Sequence, residues 1–165
     1  MNTIVDRFEK IKSKINSLKP NKQVNIIAVS KTFTYSYIKP LIDHGHFHFG
    51  ENKVQEAIVK WSEHKKKSLN LKLHMIGKLQ SNKAKDAVKI FDYIHSLDNQ
   101  KLADILAKQQ SNLNKSLNYF IQVNIGNEIQ KSGVPVGELD GFYNYCINEI
   151  KLNIIGLMVI PPINE

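Results

Sequence analysis

Short apolar runs and amphipathic helical segments take turns along this chain, and that alternation constrains its fold more than any other feature. The runs near 24–30, 46–50, 72–77, 92–96, 118–124 and 153–160 read as strands. Helical periodicity fills the intervals near 35–44, 53–66, 82–90, 99–110 and 136–149. A leading helix carries Ile4, Phe8, Ile11, Ile15 and Leu18 on one stripe and ends at Pro20-Asn21. Strands joined through helices run parallel, so the pattern predicts an α/β fold with a parallel sheet. Units of this length suit a (β/α) TIM-like barrel, which closes with eight strands in about 250 residues. Six strands within 165 residues predict an incomplete barrel, a single domain over 1–165 with an extra N-terminal helix. A doubly wound open sheet tolerates edges better, but the Gly-rich phosphate turn it uses is missing after the first strand.

The punctuation agrees with this reading. Gly45 follows a helix end, Asn52, Ser81 or Asn82, and Asp98 are expected to cap the next helices, and Pro135 suits a first helical turn. Pro40 is the misfit and should distort the second helix.

A net charge of +8 raises the question of a nucleic-acid partner, with Lys65-Lys66-Lys67 the densest cluster. Base readers rely on arginine's bidentate fork, and Arg7 is the only arginine among 23 Lys and Arg residues. The lysines are scattered over most of the helical segments rather than gathered on one, so no specific nucleic-acid partner is expected. No apolar stretch is long enough to cross a bilayer and the N-terminus lacks the order of a secretion signal, which predicts a cytoplasmic protein with no membrane partner. Cys146, the lone cysteine, shares a helical stripe with Leu139, Tyr143 and Ile150 and is expected to be packed.

Lys31 closes the run Ile26-Ile27-Ala28-Val29-Ser30-Lys31, so a primary amine stands where a parallel strand opens onto the catalytic rim of a barrel. An amine held there partly out of water loses some preference for the charged form and can attack a carbonyl. A second chemistry is offered by His46-Phe47-His48, two imidazoles on one strand face, with His74 and His95 on neighbouring strands. That spacing suits a metal-dependent hydrolase using His46 and His48.

Longer strings carry a resemblance. In order they are Ala28-Val29-Ser30-Lys31-Thr32, Phe49-Gly50-Glu51-Asn52 with Val54-Gln55-Glu56, His74-Met75-Ile76-Gly77 with Leu79-Gln80-Ser81-Asn82-Lys83, and His95-Ser96-Leu97-Asp98. Gln122-Val123-Asn124-Ile125, Lys131-Ser132-Gly133 and Gly156-Leu157-Met158-Val159-Ile160-Pro161 follow. In this order and spacing, from about residue 20 to 162, the chain resembles the pyridoxal phosphate homeostasis proteins, single-domain barrels related to the N-terminal domain of alanine racemase.

The resemblance implies that Lys31 carries pyridoxal 5′-phosphate as a covalent aldimine and that Asn52, His74 and Met158 line the cofactor; Lys131, in a Gly-containing loop after the fifth strand, is the next amine of interest. It implies a carrier or buffer of the cofactor, with apoenzymes receiving it, rather than an enzyme. A racemase-like pyridoxal phosphate enzyme is the nearest alternative, and no second domain supplies the acid or base it needs. Lys53 stands where the family has an aromatic. In the family, segments beyond the Gly-Leu-Met-x-Ile-Pro string hold the phosphate, and this sequence stops before them, as a C-terminally truncated member would. Three charge-assisted contacts at roughly 1.5–3 kcal/mol each would be lost, so binding weakened by about three orders of magnitude is expected. A monomer is expected unless another chain completes the ring.

Overall fold

The computed structural model describes residues 3–19, 21–126 and 132–161. Its strands are β1 (Ala28–Val29), β2 (His48–Glu51), β3 (Lys72–Met75), β4 (Tyr93–Leu97), β5 (Asn118–Asn124), β6 (Val134–Pro135) and β7 (Asn153–Val159). All pair in parallel, β1 to β5 side by side in chain order, with β6 and β7 both on β5. Six of these are the expected strands, and β6 is an added two-residue pairing. Among the described residues β1 and β7 do not pair with each other, so hydrogen bonds do not close the ring. The α/β parallel sheet follows the sequence reading; β1 is shorter than expected and β2 starts two residues later.

The helices are α1 (Ile4–Ser17), α2 (Tyr35–Asp43), α3 (Val54–Lys67), α4 (Ala84–Ile90), α5 (Gln100–Asn112) and α6 (Leu139–Asn144). Strand side chains alternate between faces, and one face makes the core. Phe49, Leu73, Met75, Ile94, Tyr119 and Ile121 are at most 1% exposed and lie in one cluster with Trp61, Val88, Leu102 and Leu106 of the helices. The Phe49 and Trp61 rings are 5.0 Å apart, and the Tyr119 hydroxyl donates to Gln110 on α5. Burying each such side chain contributes roughly 1.5–3 kcal/mol, which is why strands of four residues hold their place.

Several local expectations are corrected. Asn52 is not a cap: Lys53 precedes α3 and gives no side-chain cap bond. Ser81 and Asn82 form a 3-10 turn ahead of α4. Asn99, not Asp98, caps α5, accepting from the Leu102 amide at 2.9 Å, while Asp98 accepts from the Asn99 side chain. Pro40 sits inside α2 without ending it, since the carbonyl it leaves unpaired belongs to exposed Ser36. Gly45 adopts φ +91°, as a helix-ending residue does. The last helix passes into a π turn at Tyr145–Glu149, which shifts its stripe: Cys146 is buried, but Tyr143 is 40% exposed. The stripe of α1 is only partly used, with Phe8 against His44 and His46 and Ile11 and Leu18 exposed. Pro20 lies outside the described residues.

Candidate functional site

All strands point the same way, so the residues after each strand gather at one rim of the sheet. Lys31 stands there, one residue beyond Ser30, and is exposed.

What precedes Lys31 is fixed on every side. The Ser30 amide donates to the Gly50 carbonyl at 2.9 Å, and its hydroxyl donates to Oε1 of Glu51 at 2.7 Å. The Ser30 carbonyl accepts from the Lys60 ammonium at 2.6 Å and from the Phe33 amide at 3.2 Å. That last bond closes a tight turn around Lys31, in which Thr32 has φ +69°. A β-branched residue in the left-handed region is strained, and it persists only where the surroundings over-determine it.

Glu51, the last residue of β2, is fully buried. Its Oε1 accepts three bonds, from the Ser30 hydroxyl, the Lys60 ammonium at 2.8 Å and the Trp61 indole at 2.9 Å. Among the described residues its Oε2 has no hydrogen-bond partner. A buried ion pair of this kind costs about 3–5 kcal/mol to break by removing one partner. Sequence reasoning missed this cluster. The signal available was the carboxylate at the end of an apolar run, in Phe49-Gly50-Glu51.

Asn52 follows directly, half-buried, with its backbone pressed against the loop after β3. A Cβ on Gly77 would lie 2.4 Å from the Asn52 carbonyl oxygen, so only glycine allows this approach. Asn52 borders a cavity of about 330 Å³ with Val54, Met75, Lys78 and Leu79. A second hollow of about 450 Å³ lies beside the Lys31 turn, between Thr32, Phe33, Val59 and Lys60.

His74 occupies the other face of the sheet from the apolar core. Register sets it level with Gly50 and Val29, two residues below Lys31. Its two nitrogens meet His48 Nδ1 at 3.0 Å and His95 Nε2 at 2.9 Å, its ring stacks on Tyr93, and His95 stacks on Phe120. A neutral imidazole donates through one nitrogen and accepts through the other, so His74 is saturated. Burial, then the neighbouring His95 and His48, holds His74 down to about 3, and burial holds His95 down to about 4. Met158, half-buried near the end of β7, pairs in register with Gln122. Thus Lys31 and Asn52 lie just past the ends of β1 and β2 and His74 lies on β3, while Met158 lies on β7 beside β5. Lys131 lies outside the described residues.

The metal-site expectation is corrected. His46 precedes β2 and turns its Nε2 to the His48 carbonyl at 2.8 Å, and His48 is engaged by His74. Among the described residues no group of three His, Cys, Asp or Glu side chains is arranged to hold a metal ion.

The family model of the alanine racemase N-terminal domain matches residues 3–164. The pyridoxal phosphate homeostasis protein of Escherichia coli (strain K12) is 35% identical over 167 residues, covering 98% of this chain and 71% of the relative. The chain belongs to the pyridoxal phosphate homeostasis protein family. The homeostasis protein of Pasteurella multocida is 39% identical over 143 residues, 87% of this chain and 61% of that protein, so the chain spans about three fifths of its length. Among solved structures, PipY of Synechococcus elongatus with pyridoxal phosphate bound superposes with a TM-score of 0.78 at 36% identity, over 94% of this chain and 72% of that one. An alanine racemase of Clostridium difficile, at 13% identity and TM-score 0.66 over 92% of this chain and 40% of that one, shares the fold alone. In this homeostasis family the racemases are thus distant fold neighbours. No helix among the described residues is long and apolar enough to cross a membrane.

Proposed function

We propose that this chain binds pyridoxal 5′-phosphate at the Lys31 amine and serves as an intracellular carrier or buffer of it. The observation that supports this most is an exposed amine on a strand end pinned by four hydrogen bonds, in a chain 36% identical to PipY, whose structure holds pyridoxal phosphate. The cofactor supplies an aldehyde carbon that condenses reversibly with a primary amine, releasing water. The residues fit such a group: Lys31 is open to it, and Asn52 borders the rim. His74 lies two residues lower, saturated by its neighbours, and acts as a neutral floor rather than a proton donor.

An exposed amine suits release of the cofactor to cytoplasmic apoenzymes better than catalysis, which gains from excluding water. The reading is therefore a carrier, not a racemase. Titration with pyridoxal phosphate gives a visible absorbance band in the native chain and none in Lys31→Ala. The same band in Lys31→Ala rejects Lys31 as the attachment point, and alanine or serine racemisation that disappears with Lys31→Ala rejects the carrier.

A further inference from the structure

The Glu51 cluster is absent from the site read from the sequence, yet it touches the residue next to Lys31. Trp61 and Lys60 come from α3, Ser30 from the end of β1, and Glu51 from β2, so three elements converge on one carboxylate oxygen. Core packing alone does not account for it. A buried ion pair is no more stabilising than well-packed apolar residues of the same volume, and the orphaned Oε2 adds a further cost. What the pair does achieve is directional. Oε1 holds the Ser30 hydroxyl and the Lys60 ammonium holds the Ser30 carbonyl, so this residue is gripped from both of its polar ends. The next two residues are the exposed Lys31 and the strained Thr32.

We propose that Glu51 and Lys60 are positioning residues for Lys31: by clamping Ser30 they force the strained turn that aims the Lys31 amine off the strand end. This rests on the reading of Lys31 as the attachment point. The negative charge of Glu51 is what lets a single oxygen take three donors. Glu51→Gln keeps the shape and loses the charge, which loosens Ser30 without touching Lys31.

The test treats the native chain with borohydride in the presence of pyridoxal phosphate and maps the trapped adduct by peptide mass. The readout is the rate at Lys31 divided by the rate at exposed Lys101 on α5. Denaturant midpoints are measured in parallel. Glu51→Gln is expected to lower the ratio about tenfold, as loss of a group that orients a reactive residue does. Glu51→Gln with Lys60→Met, which removes both charges, is expected to recover the midpoint but not the ratio. An unchanged ratio in Glu51→Gln, or a ratio recovered together with the midpoint in the double variant, overturns the clamp and makes the pair structural only. Should Glu51→Gln not fold, Ser30→Ala decides, since it leaves the ion pair intact; a ratio equal to the native one overturns the proposal. A native chain with no preference for Lys31 is a different result, and it removes the attachment point itself.

Discussion

The two faces of this sheet are built from the same strands on opposite principles. On one face Phe49, Leu73, Ile94 and Ile121 are sealed against the helices by apolar contact. On the other, His48, His74 and His95 are linked nitrogen to nitrogen, with Tyr93 and Phe120 stacked on the last two. The first face is indifferent to solvent chemistry. The second is stable only while its imidazoles stay neutral, and it lies beneath the rim that carries Lys31. The difference teaches that a parallel sheet can assign stability to one face and chemical sensitivity to the other.

Acid should separate the faces most strongly. His74 and His95 are held well below the 6.5 of an unfolded histidine, so the unfolded chain binds protons first and stability falls as pH drops. It is full above pH 6.5 and declines toward pH 4 to 3. Between pH 6.5 and 5 the two groups together remove about 3 kcal/mol, because each unfolded histidine is half protonated at pH 6.5 and reaches the full slope of about 1.4 kcal/mol per pH unit only below it. Denaturant midpoints across that interval measure it, and a flat profile breaks the distinction. Truncating the apolar face with Leu73→Ala costs about 3 kcal/mol at every pH, because the cavity it leaves carries no titrating group. A cost that grows in acid would mean that the faces are coupled. At the rim, Thr32→Gly relieves the left-handed strain and raises stability by about 1 kcal/mol while slowing reaction at Lys31. Lastly, Cys146, pushed up to about 12 by burial and then by Asp104, stays unreactive to thiol reagents in the native chain and reacts on unfolding.

The apolar face was legible in the sequence because its period is local: Phe49, Leu73 and Ile94 each sit in a run that declares itself within a few residues. The histidine face was legible only in part: the sequence set His48, His74 and His95 on neighbouring strands, but not their links. His48, His74 and His95 come from three strands, and only the register between those strands brings their nitrogens together. Lys60 reads like the other lysines of α3, and only its contact with Ser30 and Glu51 sets it apart. Lys31 and Asn52 were legible as residues that follow apolar runs, and the family strings supplied what periodicity lacked. The exposed outer residues of β7, Ile155, Leu157 and Val159, carry the same apolar pattern as the buried strands. Pattern records the face a strand presents and leaves open what covers it.

The account depends most on where the aldehyde of pyridoxal phosphate attaches. Borohydride reduction of the native chain at limiting cofactor, followed by mass mapping of every lysine peptide, measures this in one step. The account predicts a dominant pyridoxyl mass on the peptide containing Lys31. An even spread over exposed lysines, with Lys31 unmodified, would contradict it.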